Sequence, residues 1–171
     1  MTKAYLVCGR PGAGKTTYGR KLAEKKQAVF LDIDYATGRL VELALTLAGQ
    51  DPGDRDSPYF KQHFRDPVYE RLFDIARSNL PLRNVVITGP FTQEMKDPAW
   101  PEKLAARLGA PVNVHYVSCP PHIRKERMIK RADSRDEGKL RDWNNYLHYY
   151  DDEPPPACIY FPVDNSADLA V

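Results

Sequence analysis

Gly9, Gly14, Lys15 and Thr16 lie in the stretch CGRPGAGKTT, residues 8–17, and complete the pattern G-x-x-x-x-G-K-[ST] directly after the apolar run AYLV. A chain can wrap its own N–H groups around an anion only where side chains leave room for the turn, and Gly9, Gly12 and Gly14 meet that need. The helix predicted to start near Lys15 aims its positive end at the same point. In this pattern the lysine reaches the β- and γ-phosphates of a nucleotide and the threonine hydroxyl ligates Mg²⁺. The expected nucleotide cradle is therefore Gly9, Arg10, Pro11, Gly12, Ala13, Gly14, Lys15, Thr16 and Thr17, with ATP and Mg²⁺ as its ligands.

The groups that could act on a held phosphate come from later in the chain. FLDID ends the second apolar run, and on an extended chain Asp32 and Asp34 point to the same side at the carboxyl edge of a sheet. One carboxylate there could accept the proton of an attacking hydroxyl, and another could hold a water on Mg²⁺. The plainer reading of either aspartate is a cap on the next helix. The third apolar run ends in ITGPF without an acidic residue, which argues against a motor ATPase. Arg124, Arg127, Arg131 and Arg135 supply positive charge able to offset what builds up on a transferring phosphoryl group; a solvated basic helix is the alternative. For an acceptor pocket, Arg39, Arg55, Asp56, Tyr59, His63 and Arg65 follow the second strand, and Thr88 and Phe91 close the third. A solvated loop with internal ion pairs explains the same letters.

Positioning these groups falls to alternating strand-like and helix-like segments, the pattern of a parallel sheet wrapped by helices. KAYLVCG, AVFLDID, NVVITGPF, PVNVHYVSC and ACIYFPVDN read as five strands. Continuous apolar runs such as VVIT predict burial on both faces and hence a three-layer α/β domain. Between the strands, KTTYGRKLAEKKQ reads as the helix after the glycine-rich loop. TGRLVELALTLAG reads as a helix with Leu40, Leu43, Ala44 and Leu47 on one face and Gly49 placed to end it. Asp66-Pro67 and Asp97-Pro98 look like helix starts. Pro120-Pro121 opens the helix on which Arg124, Arg127 and Arg131 share a face. SRDEGK breaks that helix, and LRDWNNYLHYY forms a last one with Leu140, Trp143, Leu147 and Tyr150 on one side.

The 171 residues, 42% of them hydrophobic, suit a single domain over residues 1–171 with one sizeable core. A net charge of +2 argues against nucleic acid or an anionic membrane as partner. No leader-like segment and no apolar run of spanning length is visible, so a soluble, cytoplasmic protein, monomer or homodimer, is expected. Cys8, Cys119 and Cys158 lie far apart in apolar runs and read as buried free thiols; the four histidines show no ligand spacing. No N-K-x-D motif for guanine is present, which favours ATP.

The glycine-rich loop, the DID after the second strand and the arginine-rich helix-break-helix after the fourth together resemble the small P-loop kinases of metabolites. That group includes shikimate and gluconate kinases, chloramphenicol phosphotransferase and zeta-toxin or polynucleotide-kinase relatives. LDID, DRDSP, GPF, DPAW and RADSRDEGKLRDW are similar also to a family of short bacterial ATP-binding proteins. The resemblance implies a P-loop NTPase sheet ordered 2-3-1-4-5, an arginine-bearing helical lid over about 124–142, and transfer of the ATP γ-phosphoryl group to a small-molecule hydroxyl. It implies Asp34 as contact and base for that hydroxyl, Asp32 in the outer shell of the metal, Arg131 and Arg135 on the lid, and Arg127 and Asn165 beside the nucleotide. TGPF departs from the glycine-rich third strand end of shikimate kinases. Phosphorylation of a polynucleotide 5′-hydroxyl or a nucleotide sugar, and a regulatory switch with slow ATPase activity, are the alternatives.

Overall fold

The computed structural model describes residues 1–151 and 154–167. Five strands, β1 (Ala4–Gly9), β2 (Val29–Asp32), β3 (Val85–Thr88), β4 (Val112–Ser118) and β5 (Phe161–Asp164), form one sheet in the order β2-β3-β1-β4-β5. Every pairing is parallel, so all five carboxyl ends meet at one edge. The sheet order and the three-layer class are those expected. β1 and β3, at the centre, are buried along their whole length, as their unbroken apolar sequences require.

One face of the sheet is covered by α1 (Lys15–Lys26), whose Leu22 and Ala23 pack with Tyr5, Val7, Val86 and Val117. The other is covered by α4 (Arg65–Asn79) and α5 (Trp100–Leu108), which bury Leu72, Phe73, Leu104 and Leu108 against Leu6, Ile87 and Val114. α2 (Ile33–Leu47) and α3 (Pro58–His63) form a smaller core with α4 through Val41, Leu45, Phe60 and Val68. α6 (Pro121–Arg131), a 3₁₀ turn (Ser134–Asp136), α7 (Glu137–Arg141) and α8 (Trp143–Asp151) make the helical excursion before β5. Tyr150 has its side chain outside the described residues.

Three local expectations are corrected. α2 begins four residues earlier than the apolar pattern predicts and turns Thr37, Val41 and Leu45 inward, leaving Leu40, Leu43 and Leu47 exposed. Its register is set by the cap at Asp32 and by packing on α4, and these outrank the leucine spacing. The helix start expected at Asp66-Pro67 lies two residues earlier, with Phe64 in the cap position in place of Asp66; Ser57 caps the preceding α3 with its hydroxyl, and Pro58 is its first residue. The break expected at SRDEGK comes just before it, as a left-handed turn at Ala132, φ 49°, and SRDEGK itself forms the 3₁₀ turn and the start of α7.

Cys8 and Cys158 are buried and Cys119 is half-buried, all three as thiols; burial pushes Cys8 up to about 12. No helix among the described residues is long and apolar enough to cross a membrane. α1 approaches the sheet through Gly19, where an added Cβ would stand 2.4 Å from Cγ2 of Thr88 and 3.1 Å from Phe30. Thr88 cannot turn away, because its hydroxyl donates to Asp32 at 2.6 Å. Gly19→Ala is therefore expected to destabilise the protein by ~1–3 kcal/mol through overpacking. Denaturant unfolding with an unchanged midpoint would contradict this.

Candidate functional site

The loop between β1 and α1 opens on a cavity of about 790 Å³ at the carboxyl edge of the sheet. Gly14 is the N-cap of α1 and has φ 92°, a conformation in which a β-carbon is strained. An added Cβ at Gly14 would also stand 2.2 Å from Nδ2 of Asn165. That nitrogen donates to the Ala13 carbonyl at 2.7 Å, so the loop is clasped by the segment just after β5. Arg127 tightens the same clasp: Nη1 donates to Ala13 O at 3.3 Å and Nη2 to Asn165 O at 2.9 Å.

Lys15 donates from Nζ to the Arg10 carbonyl at 3.0 Å. Burial brings its ammonium down to about 8, against the upward pull of Asp34. A cation held this far below its ordinary range is an attraction for an anion, which would restore the lost solvation.

Asp32 is buried at the end of β2 and uses both carboxylate oxygens. Oδ1 accepts from the amides of Asp34 and Tyr35 at 3.0 and 3.3 Å, capping α2, while Oδ2 accepts from Thr16 Oγ1 at 2.8 Å and Thr88 Oγ1 at 2.6 Å. The expectation that Asp32 and Asp34 extend from one strand is corrected: the strand stops at Asp32, and Asp34 lies in the first turn of α2. Both reach the cavity nonetheless, Asp32 from its floor and Asp34 from a more open position.

The excursion after β4 meets Asp34 from above. Arg135 Nη1 stands 2.6 Å from Asp34 Oδ1, and its Nε and Nη2 are held by Asp133 at 2.9 and 2.6 Å. These bonds hold the Asp133 carboxyl well below its usual range and raise Arg135 further. Arg131 is gripped by both oxygens of buried Asp136. Arg124, expected on the same face, is buried and does not line the cavity.

Of the residues expected from sequence, Pro11, Gly12, Gly14, Lys15, Thr16, Thr17, Asp32, Asp34, Arg55, Asp56, Arg65, Thr88, Arg127, Arg131, Arg135 and Asn165 line the cavity. Gly9, Arg10 and Ala13 shape the loop from behind. Arg39 is exposed, and Tyr59 and His63 pack their rings on each other 4.7 Å apart; none of these three lines the cavity. Phe91 is also set apart from it: fully buried at φ 48°, its ring packs with Tyr69, Phe73 and Trp100. It anchors the turn that presents Thr92 and Gln93 instead.

Sequence reasoning passed over Lys61, Tyr69, Asp136 and Lys139, and an apolar shelf of Val41, Phe60 and Val68, all of which line the cavity. Arg65, which also lines it, is clamped by Glu94 at 2.6 and 2.8 Å and lies over the Tyr69 ring. Arg55 lies over Phe60 and donates to the Pro52 and Asp54 carbonyls. Burial, then the nearby Arg135, lowers the Arg55 guanidinium.

These residues fit a magnesium-bound nucleotide. The Oδ1 of Asn165 is buried beside the loop without a hydrogen-bond partner among the described residues, an acceptor available to a ligand amino group. No cluster of three or more acidic, His or Cys side chains that could hold a metal is found among the described residues. Thr16 with Asp32 behind it suits Mg²⁺, which keeps several waters and takes phosphate oxygens as ligands.

With Lys15 at about 8 in the folded chain, the unfolded lysine holds a proton between pH 8 and its ordinary range that the folded one releases, so stability rises with pH across that window. Lys15→Met is therefore expected to stabilise the ligand-free protein by ~1–3 kcal/mol at pH 7, a gain that shrinks above pH 8. The same variant should lose the rise in melting temperature that pyrophosphate gives the native protein. An equal pyrophosphate shift in both proteins would contradict the placement of the anion.

Solved structures share this architecture at low sequence identity. A Chloroflexus aurantiacus J-10-fl protein provisionally described as a kinase superposes with a TM-score of 0.68 at 17% identity, over 99% of this chain and 91% of that one. A sugar kinase from Janibacter sp. HTCC2649 gives 0.59 at 20% identity, over 96% and 86%. A gluconokinase from Sinorhizobium meliloti 1021 gives 0.53 at 15%, over 98% and 85%. A search of curated proteins finds no match. These likenesses establish the P-loop kinase fold that the sheet order and phosphate loop already describe. The AAA domain family model matches residues 5–153, nearly the whole of that fold, and the chain belongs to the AAA domain family.

Proposed function

We propose that the chain is a phosphotransferase that moves the γ-phosphoryl group of ATP to a hydroxyl of a small molecule. The observation that carries this reading is that one cavity holds both the phosphate loop and Asp34, with Arg131 and Arg135 reaching in from the excursion after β4. A cavity of about 790 Å³ is of small-molecule size. The comparisons support the phosphotransferase class through the fold; the small-molecule acceptor rests on the cavity.

Bound MgATP supplies the activated phosphoryl group. The loop amides and Lys15 would hold its phosphates, and Thr16, backed by Asp32, would hold the metal. Asp34 receives the proton of the acceptor hydroxyl as its oxygen bonds to the γ-phosphorus and the bond from that phosphorus to the bridging oxygen breaks, leaving ADP. Arg131 and Arg135 offset charge on the transferring group, their planes already fixed by Asp136 and Asp133. Arg55 and Lys61, together with the shelf of Val41, Phe60 and Val68, select an acceptor with both polar and apolar surface.

Purified protein with MgATP, assayed for ADP alone and with a metabolite library, tests this. Acceptor-dependent ADP supports the reading. Acceptor-independent turnover that alters affinity for a protein partner, or turnover only with a polynucleotide 5′-hydroxyl, overturns it. Asp34→Asn is expected to cut acceptor turnover by about 10²–10⁴-fold with nucleotide affinity nearly intact; an unchanged rate would remove Asp34 from the role of base.

A further inference from the structure

The excursion after β4 is tied to the acceptor half of the cavity by a residue that no motif singles out. Lys139 Nζ stands 3.1 Å from Asp56 Oδ2 and also donates to the Arg135 carbonyl at 2.9 Å. Arg135 in turn stands on Asp34. The connection runs from the segment after α2, through Lys139, to the backbone that carries Arg135, and back to the first turn of α2.

The anchor at Asp56 is firm. Asp54 Oδ1 accepts from the amides of Asp56 and Ser57 at 3.1 and 2.9 Å, its Oδ2 accepts from the Ser57 hydroxyl, and Ser57 then caps α3. Asp56 is thereby presented on a loop locked by its own hydrogen bonds. Lys139 is nearly buried beneath it, with a side-chain exposure of 13%.

We propose that Lys139 and Asp56 are positioning residues that set the register of the arginine-bearing excursion against the acceptor loop, and so place Arg135 over Asp34. This deepens the phosphotransferase reading and rests on it for the meaning of the cavity. The bridge seats the later part of the lid on the acceptor side, as Arg127 seats its start on the phosphate loop. An acceptor lying between Asp34 and Arg55 enters while the bridge is open, and its closure shuts water out.

Hydrogen exchange of the full-length, ligand-free protein tests the bridge without turnover. Lys139→Gln is expected to speed exchange of the amides in residues 133–141 by about three- to fivefold, the range a partly exposed ion pair supports, leaving α1 protection and the melting midpoint unmoved. Lys139→Arg should exchange like the native protein. The reversed pair, Asp56→Lys with Lys139→Asp, should restore slow exchange lost in either single reversal. Native-like exchange in Lys139→Gln, or equally fast exchange in Lys139→Arg, overturns the proposal. Since exchange needs no acceptor, its failure in a protein that makes acceptor-dependent ADP sinks the bridge alone; a working bridge without such ADP sinks the phosphotransferase reading alone.

Discussion

The Asp32 carboxylate is the point on which the site depends. Four hydrogen bonds converge on it from three elements: the first turn of α1, the end of β3 and the amino end of α2. Its two oxygens have distinct tasks, one closing the helix that carries Asp34 and the other fixing the hydroxyl at the phosphate loop. A shift of any of these elements breaks a bond to a buried charge, which is costly in a way that losing an apolar contact is not. Cap of α2 and partner of the loop threonine are here one residue. Thr88 belongs to the same arrangement, and Gly19 makes room for it.

Around this point the cavity brings strong positive charge close to carboxylates that orient it. Arg131 lies on Asp136, Arg135 on Asp133 and Asp34, Arg65 on Glu94. A guanidinium held in plane by an acid loses little freedom when an anion arrives, so the cost of ordering is met during folding. Lys15 follows a different logic. It lies against a carbonyl of its own loop in a desolvated position, and burial works against its charge. The arginines are preorganised by carboxylates, the lysine by a backbone carbonyl of its own loop.

The phosphate half of the site was legible because its pattern is a backbone requirement. Glycines spaced for a tight turn, followed by lysine and threonine, can be read from letters, and the apolar strand before them confirms the setting. The five strands were legible from unbroken apolar runs, and their order followed from the resemblance. Asp34 was identified correctly as a cavity residue but for an incorrect reason, since it arrives by a helical turn and not by strand alternation. The leucines of α2 misled because helical spacing marks a face without saying which way it turns; the Asp32 cap and Val68 on α4 decide that. Phe91 misled because a residue at a strand end looks available, whereas φ 48° at this position swings its ring into the core.

The acceptor half is built on another principle, and this explains why it was hard to read. Its groups come from α2, the loop before α3, α3, α4, the turn after β3 and α7, far apart along the chain and placed by packing. No spacing along the chain links Asp56 to Lys139; they meet because the Asp54 turn fixes one and the helix after the Ala132 turn carries the other. Backbone amides can hold any phosphate, so a loop made of them is compatible with many sequences sharing 15–20% identity and one fold. Side chains such as Arg55, Phe60 and Lys61 define one shape and charge, so on the proposed reading selectivity would be carried by the elements that the phosphate motif does not constrain.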